Sequence, residues 1–162
     1  MSAMRIAPRS RMQGFTAVEL MIVVVIVGIL TALAAPNMAQ MVRNQRVKTA
    51  AFDLNASLVF ARSEALKRNL AVTITPNTAG DWTQGWQIRD SNNNLLKQEG
   101  NRNLNAKELV FTGPAAVTFA RTGRLSAAVG NFSLSAENVP AERHRCISLD
   151  LSGRPQTKEH AC

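Results

Sequence analysis

The residues that could do chemistry are few, and they lie near the carboxyl end of the 162-residue chain. His144 precedes Cys146 by two positions, and His160 precedes Cys162 by two. This arrangement lacks the paired short-loop spacing of a zinc site, which leaves metal binding as the minor alternative. No phosphate-binding loop, dinucleotide fingerprint, nucleophile elbow or paired-carboxylate arrangement stands out. We therefore predict no enzymatic activity, no metal and no cofactor.

The two cysteines have a better use if the domain is exported. In an oxidising compartment Cys146 and Cys162 can join and close a loop of about 16 residues, which the chain-entropy treatment values at roughly 3 kcal/mol. The bond would hold the carboxyl-terminal tail against the last strand. We predict this disulfide.

A single acid, Glu19, stands in an apolar run. No charged residue occurs from Leu20 to Ala35, and the basic residues Arg5, Arg9 and Arg11 precede the run without any acid. A basic segment before an apolar run is typical of export signals. As a helix, residues 15–35 would reach roughly 31 Å, about the thickness of a bilayer's hydrocarbon core. The arginines would keep the amino end in the cytoplasm and place the rest of the chain outside.

A secretory signal cleaved after the small residues 32–35 is the alternative. Glu19 argues against it, because an unpaired charge within an apolar span costs at least a few kcal/mol in lipid. Such a residue usually has a function.

The segment Gly14-Phe15-Thr16-Ala17-Val18-Glu19, followed by the apolar run, resembles the class III signal of type IV pilins and pseudopilins. The resemblance implies that a prepilin peptidase cuts after Gly14 and that the new amino-terminal Phe15 is methylated. It also implies that Glu19 is the glutamate used in assembly. Gly28 and Pro36 stand where many pilins have a glycine and a helix-bending proline.

Elementary electrostatics agrees with that role for Glu19. After cleavage the amine of Phe15 can neutralise a carboxylate in an apolar fibre core, its own or a neighbour's, whereas an unmatched charge stays costly. Glu19 would thus favour addition of a subunit in register. The alternative is a glutamate that only reaches the membrane interface.

After Pro36 the apolar residues keep a helical spacing of three and four positions, which predicts an amphipathic helix ending near Asn69. The buried stripe would comprise Val47, Ala51, Leu54, Leu58, Ala61 and Ala65. Beyond Asn69 a period of two and frequent turn residues predict strands at 71–75, 85–90, 109–112, 117–120, 131–136 and 146–151. Trp82 and Trp86 read as packing or edge residues, and Gly123 and Gly153 as turn residues with positive φ.

Three segments narrow the resemblance: LVFARSEA at 58–65, VTFARTGR at 117–124 and ISLDLSGR at 147–154. They are similar to the GspH/FimT family of minor pilins and pseudopilins. The implied fold is α+β and type IV pilin-like, with a long amino-terminal helix packed on a mostly antiparallel head. The implied segments are a cleaved leader (1–14), a transmembrane and assembly helix (15–35), an amphipathic helix (36–68) and a β-rich periplasmic head (69–162).

The resemblance implies a minor subunit that helps initiate or cap a type IV pilus, with the H-type pseudopilin of type II secretion as the alternative. Its partners would be the prepilin peptidase, other pilins or pseudopilins and, before assembly, the bacterial inner membrane, with the head in the periplasm. A further alternative is DNA binding by a local basic cluster near the disulfide loop. The DNA-binding pattern of FimT-like proteins has a second arginine two positions after its Gly-Arg pair, and this chain has Gln156 at that position. The cluster is Arg143, Arg145, Arg154 and Lys158.

Overall fold

The computed structural model describes residues 15–100, 109–137 and 139–162, and for residues 34–37 it describes the backbone alone. The chain divides into two units, residues 1–38 and residues 39–162. Helix α1, Ala17–Arg68, contributes to both. The predicted leader 1–14 lies outside the described residues, and the predicted bend at Pro36 stays a prediction.

Where the structure describes it, the first unit is the amino-terminal part of α1, preceded by Phe15 and Thr16. The hydroxyl group of Thr31 finds hydrogen-bond acceptors within the helix, because Thr31 Oγ1 lies 2.9 Å from the carbonyl oxygens of both Val27 and Gly28. Within the described residues, no single helix meets the length and apolarity expected of a membrane span. The stretches Ala17–Leu33 and Met38–Arg68 meet them only as a pair joined across a break.

In its described residues, the second unit contains two four-stranded antiparallel sheets. The first sheet has the order β3-β2-β1-β5, and the second has the order β4-β6-β7-β8. A single turn of 3-10 helix, Ala141–Arg143, precedes β7. The strands are β1 Val72–Thr78, β2 Asp81–Asp90, β3 Leu95–Glu99, β4 Val110–Thr112, β5 Val117–Phe119, β6 Phe132–Ser135, β7 Arg145–Leu149 and β8 Pro155–Lys158.

One apolar stripe of α1 enters the core of this unit. All six residues predicted for the stripe are buried, and Ala50 joins them. The stripe and the inward residues of both sheets form one continuous cluster. The helix ends at Arg68 because Asn69 adopts a left-handed conformation with φ of 54°, which a helix cannot continue. The predicted α+β fold, a long helix on antiparallel sheets, is confirmed.

An aromatic cluster joins the two sheets. Trp82 and Trp86 of β2 pack against Phe111 of β4 and Phe132 of β6, and the rings of Trp82 and Phe132 meet edge to face with centroids 4.9 Å apart. The indole Nε1 of Trp82 donates a hydrogen bond to the carbonyl oxygen of Pro114 at 3.1 Å. Both tryptophans are therefore packing residues, as predicted.

Two strands were missed by the sequence pattern, and two were predicted too short, since β1 continues to Thr78 and β2 starts at Asp81. β3 and β8 are outer strands of their sheets and are largely exposed or half-buried, so they show no strong alternation of apolar and polar residues. β2 begins at Asp81, four residues before the predicted start at Gly85. Gly85 lies inside the strand, where β3 passes close to it. A side chain at Gly85 would meet the carbonyl oxygen of Glu99.

Candidate functional site

The amino-terminal turn of α1 is capped by Thr16. Thr16 Oγ1 accepts a hydrogen bond from the backbone N–H of Glu19 at 3.2 Å, which satisfies one of the free donors of the first turn. Glu19 therefore lies in the first turn, where an acid is also favoured by the helix dipole. We did not predict this cap, although Thr16 followed by Glu19 three residues later is its sequence signature. The predicted cleavage residue Gly14 lies outside the described residues.

The helix that follows Glu19 exposes apolar side chains on every side. Phe15, just before the helix, is 71% exposed. A surface of this kind is costly in water and needs lipid or neighbouring subunits to cover it. The exposed side chains are Val18, Leu20, Met21, Ile22, Val23, Val24, Val25, Ile26, Val27, Ile29, Leu30 and Leu33.

Besides the pairing of β8 with β7, a disulfide, a hydrogen bond and an ion pair tie the carboxyl-terminal tail to the head. Cys146 and Cys162 form a disulfide with their Cα atoms 5.0 Å apart. Asn55 of α1 donates a side-chain hydrogen bond to Thr157 Oγ1 of β8 at 3.1 Å. Arg145 of β7 forms an ion pair with Glu159 at 2.9 Å. The tail thus packs against both β7 and the helix.

The structure divides the four predicted basic residues into two groups. Arg143, Arg154 and Lys158 are exposed. Arg145 is buried, with only 6% of its surface exposed, and its guanidinium is used by Glu159 and by the carbonyl oxygens of Arg143 and His144. Including Arg145 in an accessible cluster was wrong, because its position in β7 turns the side chain toward Glu159 and the protein.

Two turns of the head have the same hydrogen bonds. In the first, the Ala120 N–H donates to the carbonyl of Arg124 and the Gly123 N–H to that of Ala120. In the second, the Asp150 N–H donates to the carbonyl of Arg154 and the Gly153 N–H to that of Asp150. The glycines have φ of 72° and 78°, as predicted, a conformation that is cheap for glycine.

These two turns also touch. The Leu125 N–H donates to the carbonyl of Leu151 at 3.2 Å, and Gly153 packs on the carbonyl oxygen of Gly123. The contact brings the positions of Arg124 and Arg154, both exposed, into neighbouring turns. Sequence reasoning identified each turn but not their contact.

Arg68 links the end of α1 to the turn after β2. Its Nε donates to Glu64 Oε2 at 2.5 Å, and its guanidinium lies 4.0 Å from Asp90. The hydrogen bond from Arg68 is the main cause that lowers the pKa of Glu64. The pKa of Asp90 is lowered chiefly by the side chain of Asn94, with further N–H donors at Asn94 and Asn92. The charged forms of both carboxylates therefore stabilise the native structure.

The histidines make local hydrogen-bond contacts. A ring nitrogen of His144 lies 3.1 Å from the carbonyl oxygen of Val139, and one of His160 lies 2.6 Å from that of Ala161. Both cysteines are in the disulfide. In the portion of the chain that the structure describes, no group of three or more His, Cys, Asp or Glu residues could hold a metal ion.

A capped apolar helix followed by a disulfide-tied antiparallel head is the architecture of type IV pilin-like proteins. Two family models match the chain: the prokaryotic N-terminal methylation motif over residues 9–35, and the type II transport protein GspH over residues 50–153, more than half of the chain. The chain therefore belongs to the GspH family. No curated protein sequence matches it.

Two solved structures are similar to this chain, and both are crystal structures of the type IV minor pilin FimU from Pseudomonas aeruginosa strain PAO1. The form in space group P65 is 26% identical with a TM-score of 0.56, covering 68% of this chain and 91% of that one. The form in space group P21 is also 26% identical with a TM-score of 0.57, covering 70% and 89%. The protein is a minor pilin or pseudopilin of the GspH/FimT type, a family with a structural role. The family and the methylation motif imply other pilins and a prepilin peptidase as partners.

Proposed function

We propose that this protein is a minor pilin that incorporates into a type IV pilus and helps to initiate or cap it. The observation that carries the proposal is the amino-terminal turn, where Glu19 is the one charged residue at the start of an apolar helix whose side chains are exposed all round. A helix of this kind first needs lipid and then a bundle of similar helices to cover it. Similarity to FimU supports the pilus over the secretion pseudopilus.

The proposal includes a defined maturation. The peptidase cuts between Gly14 and Phe15 and removes the leader 1–14 with its three arginines, and Phe15 is then methylated. Residues 15–35 span the inner membrane once, residues 36–68 continue as the amphipathic helix, and residues 69–162 form the periplasmic head. The N-terminal methylation motif at 9–35 supports this order of events.

Glu19 would act during assembly. Inside an apolar bundle its carboxylate is costly until a cation meets it, and the methylated amine of Phe15 in a neighbouring subunit supplies that cation. Thr16 supports this role because it fixes the first turn through the Glu19 N–H. Subunit addition is favoured only at the register that pairs the two charges.

The test separates the pilus from the pseudopilus. In the host strain, deletion of the gene followed by complementation would be scored for surface pili and for type II secretion of a known substrate. We expect loss of pili with normal secretion, and the tagged protein in sheared pili. Normal pili with a secretion defect would assign the protein to the pseudopilus instead.

DNA binding is the second candidate, and the contact between the two turns is the observation that favours it. Arg121, Arg124 and Arg154 are exposed in these turns. These three exposed arginines allow about three phosphate contacts, which gives a salt slope near −3 on duplex DNA. Such binding is weak and independent of sequence. We expect Arg124→Ala with Arg154→Ala to abolish it without impairing pili, and Arg143→Ala with Lys158→Ala to serve as the comparison.

A further inference from the structure

A polar cavity of about 210 Å³ lies in the second unit between α1, the 3-10 turn before β7 and the carboxyl-terminal tail. Every side chain that lines it is charged or carries an amide. Its lining residues are Asn44, Lys48, Glu142, Arg143, Arg145 and Glu159. The volume is several times that of one water molecule in the liquid, so the cavity has room for a small polar group.

Four of the lining side chains have unused hydrogen-bonding groups. The carboxamide oxygen of Asn44 is buried and accepts no hydrogen bond. Lys48, Arg143 and Glu142 form no side-chain ion pair or hydrogen bond within the part of the chain that the structure describes. A buried acceptor without a donor is unfavourable, so a ligand that supplies a donor is favoured here.

The unused groups call for both signs of charge in one ligand. Lys48 and Arg143 are exposed cations that can pair with an anion. Glu159 spends one carboxylate oxygen on Arg145 and keeps the other. That oxygen, the Glu142 carboxylate and the Asn44 amide oxygen provide three acceptors, and an ammonium group has three N–H donors. The complementary ligand is therefore an anion joined to a nearby ammonium.

An adjoining groove adds an apolar requirement. The groove has a volume of about 640 Å³, and Lys48, Arg145 and Glu159 line both it and the polar cavity. Ala51 and Phe52 contribute apolar surface to the groove, and Phe52 is 73% exposed. Exposed apolar surface of this size is costly in water. A ligand that fills the cavity and the groove together has a zwitterionic end and an apolar continuation.

The membrane offers such a ligand within reach of the cavity. Asn44 follows Ala35, the last residue of the apolar run, by nine positions. At about 3.5 Å per residue, the chain keeps Asn44 within roughly 30 Å of the end of that run in any arrangement of the two units. Lipid headgroups at the surface of the membrane are therefore available to the head before assembly.

We propose that this cavity binds the headgroup of phosphatidylethanolamine, a phosphate ester joined to an ammonium. The phosphate pairs with Lys48 and Arg143, and the ammonium pairs with Glu142, Glu159 and the Asn44 amide oxygen. The glycerol and the first methylene groups lie in the groove. The inference rests on the membrane insertion in the proposed function, and it adds a lipid that holds the head at the membrane until the subunit is taken into a filament.

Two other lipids provide matched comparisons. Phosphatidylglycerol has the phosphate but offers hydroxyl donors without the positive charge that two carboxylates favour. Phosphatidylcholine has the positive charge but no N–H donor for the Asn44 oxygen. Neither supplies every group that the cavity can bind.

The first test uses the mature full chain in nanodiscs made of equal parts of the three lipids. Native mass spectrometry of the released protein counts the lipid of each class that it retains. We expect phosphatidylethanolamine to be retained about tenfold over the other two, because hydrogen bonds between charged groups are the stronger ones. Equal retention of the three lipids would overturn the inference.

Single substitutions assign the retained lipid to the cavity. Lys48→Met should lower retention of phosphatidylethanolamine about tenfold, since it removes one cation from the phosphate. Lys67→Met is the control on the same helix, because Lys67 is exposed and pairs with Glu64 away from the cavity, and it should stay within about twofold of wild type. Glu142→Gln should remove the preference for phosphatidylethanolamine over phosphatidylglycerol. A thiol count shows whether the disulfide-tied head still folds in each variant. A Lys48→Met chain with the retention of wild type would overturn the inference.

A soluble headgroup separates the lipid from a free compound of the same chemistry. Glycerophosphoethanolamine in large excess should leave the retained phosphatidylethanolamine unchanged, because it lacks the apolar part that occupies the groove. Displacement of the lipid by this compound would assign the cavity to a free phosphoethanolamine compound and overturn the lipid. Failure of wild type to enter filaments would remove the proposed function and leave the lipid measurement unaffected.

Discussion

Gly153 packs directly on the carbonyl oxygen of Gly123, with no room for a Cβ atom between them. The same oxygen accepts a hydrogen bond from Arg62 Nε of α1 at 3.0 Å. A Cβ at Gly123 would in turn meet the side chain of Leu66 at 3.0 Å. One carbonyl group is thus the point where two turns and the helix are held together.

We predict that Gly153→Ala destabilises the head by about 2 kcal/mol or more. The substitution forces a left-handed conformation on alanine and places its Cβ against the Gly123 oxygen. Gly130→Ala is the matched control, because that glycine is exposed with nothing near its Cβ position. Denaturant unfolding of the fragment 39–162 measures both, and equal midpoints for the two variants would contradict the packing described.

The sequence was sufficient to predict the elements whose pattern follows from burial. The stripe from Val47 to Ala65, the end of the helix at Asn69 and the positive φ of the two turn glycines all follow from local rules. β3 and β8 could not be predicted, because their side chains are exposed or half-buried and show no apolar alternation. The outer strands β4 and β5 bury Phe111, Val117 and Phe119 and were predicted.

A site residue could be predicted only where its type is unusual for its place in the chain, and not where its role depends on a distant partner. Glu19 stands out because one acid in an apolar run is unusual. Arg145 looked like its basic neighbours, and only the register of β7 with the tail shows that Glu159 pairs with it. The contact of Gly123 with Gly153 joins residues 30 positions apart, so no local pattern reports it.

We predict that Cys146→Ser with Cys162→Ser lowers the free energy of unfolding of fragment 39–162 by roughly 3 kcal/mol or less. The bond closes a 16-residue separation, and the tail keeps its Asn55 and Arg145 contacts without it. Urea unfolding with and without reductant gives the value. Two reactive thiols in protein purified from the periplasm would contradict the bond and reopen metal binding.

We predict that Asp90→Asn weakens the acid sensitivity of the head. The folded-state pKa of Asp90 is held below its usual value of 3.8, so its carboxylate contributes stability above that pH. The contribution is lost as the pH falls through the lower folded-state pKa. Relative to wild type, the variant should be less stable at pH 7 and lose less stability between about pH 5 and pH 2. Glu142→Gln, at an exposed turn, is the control, and parallel curves for wild type and Asp90→Asn would contradict the prediction.

We predict that the mature protein begins at Phe15 and carries one added methyl group. Intact-mass measurement of membrane-purified protein reports both modifications. Gly14→Leu should leave an uncut precursor, because the peptidase must accept a small residue at the cut, whereas Gly28→Ala is a control that meets no atom within 4 Å. A chain that begins after Ala35 would identify an ordinary secreted protein.

The most direct measurement is the amount of Glu19→Ala in sheared filaments relative to the membrane, with wild type expressed at the same level. We predict that the variant is cut, methylated and retained in the membrane, yet is depleted from filaments about tenfold or more. Loss of the carboxylate leaves the neighbour's amine without its partner in an apolar bundle. Glu19→Asp, which keeps the charge, should recover part of the incorporation. Equal recovery of Glu19→Ala and wild type in the filament fraction would contradict an assembly role for Glu19.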